Sequence, residues 1–170
     1  IIALIAIFIY ILIRFRNVAY SIGSIVALVV DTLLVIGAFS LCYGWMPFSL
    51  EIDQTFIGAI LTVIGYSIND KVVVFDRIRE TFQRHPRRDR QQNFNDSLNA
   101  CLARTVNTSV STLVVLLVIF FLGGDSIRPF AFAMILGVVI GTFSSLFVAA
   151  PTAYIVMGAR IKEDETAETE

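Results

Sequence analysis

The residues Gly65–Glu80, GYSINDKVVVFDRIRE, decide the fold of this chain. They continue an apolar run that begins near residue 55, and Asn69, Asp70 and Lys71 interrupt that run before it becomes strongly polar. A charge at the centre of a bilayer costs roughly 2.5 to 3.5 kcal/mol on insertion scales, so ionisable residues inside an apolar span are rare and usually functional. The stretch therefore predicts a membrane helix that carries a functional charged site.

The composition around this stretch is that of an integral membrane protein. Of the 170 residues 56% are hydrophobic, and the mean hydropathy is +0.79, which a soluble domain of this size could not bury. Five apolar runs meet or approach the roughly 20 residues that span a bilayer. They lie near residues 1–13, 19–43, 55–75, 100–122 and 129–157. We predict an all-α integral membrane protein with five transmembrane helices in a bundle over residues 1–160.

The two ends of the chain carry separate expectations. The first run starts at residue 1 without a polar leader or a small-residue cleavage site, so we expect a truncated span and not a signal peptide. The tail 161–170 is acidic and almost without apolar residues, and we expect it to be disordered.

Basic residues fall mostly on one side of the predicted membrane. Arg128 falls on the other side, whereas the loops after the first and third spans and the tail hold Arg14, Arg16, Arg77, Arg79, Arg84, Arg87, Arg88, Arg90, Arg160 and Lys162. The positive-inside rule then places these loops and the C-terminus in the cytoplasm. The basic cluster around His85 indicates anchoring to anionic lipid, in preference to nucleic acid, because it lies beside a span.

Two further ionisable residues lie inside predicted spans. Asp31 is about 18 Å from the cytoplasmic end of its helix and therefore near mid-membrane. It is either a helix–helix hydrogen-bonding group, a second protonatable group of a relay, or a charge partner for Lys71. The alternatives stay open at this stage.

Arg104 is the remaining intramembrane charge, and polar residues follow it on one helical face at Asn107, Thr108 and Ser111. We expect this polar lining to face partners inside the bundle. Arg104 and Asp70 lie at similar depths, roughly 10 Å and 9 Å from the cytoplasmic side. An ion pair between them would offset the desolvation of both charges.

Small residues predict where helices approach one another. Gly58, Thr62, Gly65 and Asn69 recur at helical spacing in the third span, and Gly137 and Gly141 do so in the fifth. We expect both faces to pack against neighbouring helices, with Asp70 bordering the first.

The sequence offers no pattern for soluble enzymology. It contains no glycine-rich phosphate loop, no spaced set of metal ligands and no nucleophile motif. We therefore expect no cofactor, no metal and no enzymatic activity.

The motif GYSINDKVVVFDRIRE resembles SecF, the smaller membrane subunit of the bacterial SecDF protein-export complex. The resemblance continues through EIDQTFIGAILTVIGYSIND, LARTVNTSVSTLVV, FLGGDSIRPFAF and GVVIGTFSSLFVAAP. It implies a half bundle of the RND superfamily in the inner membrane, here lacking its first helix and periplasmic domain. The implied partners are SecD, the SecYEG translocon with SecA, and a preprotein substrate.

The resemblance also implies that Asp70 and Arg104, with Asn69 and Asp31, belong to machinery that couples the proton-motive force to export. Two positions depart from the family pattern: Lys71 replaces a small hydroxyl residue, and Val30 replaces a histidine before Asp31. Lys71 is a candidate charge partner that competes for a carboxylate.

Three other interpretations remain. Asp70 and Arg104 could form a static pair that fixes helix register. The chain could be a non-conducting scaffold of the translocase, or an RND-type half-transporter for small molecules.

Overall fold

The structure is a computed structural model that describes residues 2–15, 17–45 and 54–167, with side chains described for 5–15, 17–45 and 54–158. Every regular element in these ranges is helical. The elements are α1 (Ile2–Phe15), α2 (Val18–Cys42), α3 (Gln54–Arg84), α4 (Arg90–Leu122), α5 (Arg128–Ser144), a π-turn (Ser145–Ala149) and α6 (Ala150–Ala167). Arg16 lies outside the described residues, as do the side chains of Arg160 and Lys162.

The helices confirm the predicted all-α membrane fold. Four helical units are long and apolar enough to cross a membrane: Val18–Cys42, Gln54–Arg84, Arg90–Leu122 and Arg128–Gly158. A shorter apolar helix, Ile5–Phe15, is the fifth. The predicted fifth span is one unit in which the π-turn separates α5 from α6.

The bundle is built around α3 and α5, and glycine allows their close approach. A Cβ atom at Gly137 would lie 2.1 Å from the Val63 side chain, and one at Gly141 would lie 2.9 Å from Ser67 Oγ. The glycines of α5 therefore form a packing face, as the sequence predicts. At Gly58 and Gly65 of α3 a Cβ would have no described atom within 4 Å.

The face of α3 that carries Gly58 and Gly65 is thus open in the part of the chain that the structure describes, contrary to our expectation. Thr62, Gly65 and Asn69 are exposed, because α3 buries the opposite face. That buried face consists of Phe56, Ala59, Val63, Ser67, Lys71, Val74, Phe75 and Ile78. The larger apolar side chains pack into the core, and the small-residue face is left at the surface of the bundle.

The C-terminal segment also differs from expectation. α6 continues to Ala167, so most of the segment that we expected to be disordered is helical. Alanine, glutamate and lysine favour helix, and they extend α6 beyond its apolar part.

Candidate functional site

The interior of the bundle holds an ion pair between α2 and α3. Lys71 Nζ lies 2.7 Å from Asp31 Oδ2, and the two side chains are 0% and 1% exposed. Ser67, one turn before Lys71, donates a hydrogen bond of 2.5 Å to the same carboxylate oxygen. Lys71 also donates to Ser67 Oγ, so three side chains form one closed cluster.

The cluster shows that Lys71 faces the carboxylate of Asp31. Lys71 is directed at α2, whereas the adjacent Asp70 is directed elsewhere, because consecutive residues of a helix lie about 100° apart. Asp31 Oδ1 is buried and has no hydrogen-bond partner among the described side chains. Such a pair offsets the desolvation of both charges only while both partners are present.

Asp70 occupies a second polar position, which is formed by α3 and the π-turn. Ser145 Oγ donates a hydrogen bond of 2.7 Å to Asp70 Oδ2, and Ser145 is fully buried. The same hydroxyl lies 2.9 Å from the carbonyl oxygen of Thr142. Asp70 itself is half-buried, which leaves its carboxylate at the border between the core and the open face of α3.

The hydroxyl groups continue from this position to α4. Thr142 Oγ1 and Ser109 Oγ lie 2.5 Å apart, and this contact joins α5 to α4. Thr142 thus accepts from Ser145 through its carbonyl and contacts Ser109 through its hydroxyl, which also donates to the carbonyl of Val138.

Arg104 does not form an ion pair with Asp70 in this conformation, among the side chains that the structure describes. Arg104 is exposed on α4. The charges of Arg104 and Asp70 are nevertheless both close enough to the Cys101 thiol to act on it. The two groups thus lie in the same region of the bundle without direct contact.

The rest of the polar lining of α4 is also exposed. Thr108 donates to the carbonyl of Arg104 and Ser111 to that of Asn107, so these hydroxyls bond within their own helix. Our expectation that this face turns into the bundle is not met among the described residues, because α4 instead buries a neighbouring face. The buried residues of that face include Cys101, Thr105, Ser109 and Leu116.

The sequence reasoning missed four hydroxyl residues of the site. Ser67, Ser109, Thr142 and Ser145 are not among the predicted site residues. The available signal was spacing: Ser67 precedes Lys71 by four residues, which places both on one helical face.

Four helices long and apolar enough to cross a membrane, with an ion pair buried between two of them, define a polytopic membrane protein. The chain belongs to the family of protein export membrane proteins SecD/SecF, whose C-terminal family model matches residues 1–159. This match together with the SecF relatives described next confirms the resemblance to SecF.

Relatives and solved structures agree with this assignment. The protein translocase subunit SecF of Rhodothermus marinus is 54% identical over 149 residues, which are 88% of this chain and 48% of that protein. SecF of Haemophilus influenzae is 48% identical over 134 residues, 79% of this chain and 39% of that protein. The chain thus spans about half the length of the relatives it matches, or less.

Two crystal structures share the fold. SecDF in its super-membrane-facing form matches 96% of this chain and 21% of its own, with a TM-score of 0.83 and 36% identity. SecDF of Thermus thermophilus, a translocon-associated membrane protein, matches 90% of this chain and 20% of its own, with a TM-score of 0.76 and 38% identity.

Proposed function

We propose that this chain is the membrane bundle of a SecF subunit that uses the proton-motive force to assist preprotein translocation. It acts in the bacterial inner membrane, with its C-terminus in the cytoplasm. Its partners are SecD, SecYEG with SecA, and the preprotein. In this role it is a transport component and not an enzyme.

The observation that carries the proposal is the position of Asp70. Its carboxylate has an uncharged partner, Ser145, at 2.7 Å, and no ion-pair partner among the described side chains. It also borders the open face of α3, in the region of Arg104. A carboxylate placed between a hydroxyl and a nearby cation can bind a proton in one conformation and release it in another.

The mechanism follows from two opposing effects on Asp70. Low polarity favours its neutral, protonated form, whereas contact with Arg104 favours the carboxylate. Separation of the pair therefore loads a proton, and closure of the pair releases it. A proton that moves through about 100 mV yields roughly 2.3 kcal/mol, which biases a two-state bundle about fiftyfold.

The exposed polar face of α4 supports the assignment of a partner. Arg104, Asn107, Thr108 and Ser111 would be costly against lipid. The open small-residue face of α3 permits close helix approach. We propose that SecD covers these two faces, so that Arg104 and Asp70 lie at the boundary between the subunits.

Export in cells depleted of their own SecF tests the proposal. The full-length natural protein is supplied as wild type, Asp70→Asn or Arg104→Met at matched abundance. We expect both variants to abolish the stimulation of export by the proton-motive force. Asp76→Asn is the control, because Asp76 is an exposed carboxylate on the same helix that pairs with Arg14 at 3.3 Å.

Two outcomes would favour other functions. Normal export by both variants, with assembly intact, would indicate a static pair within a scaffold subunit. A change in drug sensitivity without a change in export would indicate a small-molecule transporter.

A further inference from the structure

We propose that Ser145 is a positioning residue: it is the uncharged partner that holds the Asp70 carboxyl group apart from Arg104. This inference rests on the proposed function, in which Asp70 alternates between two states. It identifies the partner of Asp70 in the state in which Asp70 is separated from Arg104. It names a residue on a different helical unit from both charges.

The π-turn explains why a hydroxyl is available at this place. Ser144 and Ser145 are consecutive and both buried, yet they bond to different helices. Ser144 lies 3.4 Å from the carbonyl oxygen of Ala27 on α2, whereas Ser145 lies 2.7 Å from Asp70 on α3. π-turns are rare in helices and occur frequently at functional sites.

Ser145 can accommodate both protonation states of Asp70. A serine hydroxyl carries one hydrogen and can also accept. When Asp70 is ionised, the hydroxyl donates to it. When Asp70 carries a proton, the carboxyl O–H donates to Ser145 Oγ, and the serine hydrogen turns to the carbonyl of Thr142, 2.9 Å away.

The residue that supplies this carbonyl, Thr142, also packs α5 against the helix that carries Arg104. Thr142 contacts Ser109 of α4 through its own hydroxyl at 2.5 Å, and Arg104 lies five residues before Ser109. Lys71, the cation next to Asp70 in sequence, is already bonded to Asp31 and Ser67, so we expect Asp70 without the Ser145 hydroxyl to pair with Arg104. We therefore expect loss of this hydroxyl to favour the closed pair and to impair the cycle.

The first test is infrared spectroscopy of the full-length protein in membranes together with SecD. The difference between wild type and Asp70→Asn identifies the bands of the Asp70 carboxyl group. Ser145→Ala is expected to move these bands, because their frequency depends on hydrogen bonding. Ser144→Ala is the matched control, since it removes the same atom from an adjacent buried serine, and it should leave the bands in place.

The second test is export stimulated by the proton-motive force in the same variants. We expect about a tenfold reduction for Ser145→Ala, the effect of losing one hydrogen bond to a charged group, and less than about a twofold change for Ser144→Ala. If Ser145→Ala does not accumulate, Ser145→Cys preserves the volume and offers a weak donor, so it should shift the bands partway.

The outcomes separate this inference from the proposed function. Unchanged Asp70 bands in Ser145→Ala or Ser145→Cys, or equal effects of the two alanine variants, would overturn the role of Ser145. Normal export by Ser145→Ala while Asp70→Asn is inactive would overturn this inference alone. Normal export by Asp70→Asn would overturn the proposed function.

Discussion

Lys71 and Asp31 form their ion pair where neither side chain is accessible to solvent. The structure shows what a lysine gains at residue 71. Lys71 neutralises the carboxylate of Asp31 and bonds to Ser67, so both charges are held inside the bundle. We interpret the pair as a fixed connection between α2 and α3.

Lys71→Met tests that interpretation. The substitution leaves Asp31 buried without a counter-ion, and we expect the free energy of unfolding to fall by about 3–5 kcal/mol. Thermal or denaturant unfolding in detergent measures the change. Export by the same variant shows whether transport falls by more than the loss of folded protein explains.

The double variant Asp31→Leu/Lys71→Met is the control for this prediction. Removing both charges removes the unpaired group, so stability should return close to that of the wild type. A double variant as unstable as the single one would contradict the ion-pair argument. Normal export by a stable double variant would exclude Asp31 from the proton relay.

Helix packing between α3 and α5 depends on Gly137 and on the rigid side chain of Val63. A methyl group at residue 137 would overlap Val63, which is 1% exposed and β-branched. Gly137→Ala should therefore destabilise the bundle by about 1–3 kcal/mol through overpacking. Unfolding of the purified chain in detergent measures this effect.

Gly58→Ala provides the matched comparison on the opposite face. No described atom lies within 4 Å of a Cβ at this position. Since alanine favours helix over glycine by up to about 1 kcal/mol, the change should be neutral or stabilising in the chain alone. Equal destabilisation by both variants would show that α5 does not pack on α3 as described.

The sequence predicted the helical spans well because span length and apolar composition follow directly from bilayer thickness. It also predicted the glycine face of α5, because two small residues four positions apart lie on the same face of a helix however that helix is rotated. Helix rotation was harder to predict. Adjacent residues such as Asp70 and Lys71 face different helices. The sequence pattern does not say which of the two residues contacts which helix.

The polar face of α4 shows the second limit. Arg104, Asn107, Thr108 and Ser111 indicate that the face needs partners, but the pattern cannot say whether these lie in the same chain. Serines such as Ser145 were also ambiguous, because a small hydroxyl residue suits both close packing and hydrogen bonding.

At the scale of the whole molecule, the open faces of α3 and α4 are the surface on which the proposed function places SecD. An exposed arginine and amide in a membrane helix require a polar neighbour, and the small residues of α3 allow that neighbour to approach closely. This bundle corresponds to about a fifth of each SecDF chain that it matches.

Ser111→Trp tests whether this surface binds SecD. A large side chain in the middle of the polar face prevents close helix approach. We expect the amount of SecD that co-purifies with the full-length protein to fall at least about tenfold, because hot-spot positions in interfaces carry about 2 kcal/mol or more. Val110→Trp is the matched control, because Val110 is the preceding residue, is 52% exposed and lies on a different side of α4. Tryptophan facing lipid should leave SecD binding unchanged. If both variants retain SecD equally, the polar face serves another purpose, and Arg104 would then have to find its partner within this bundle.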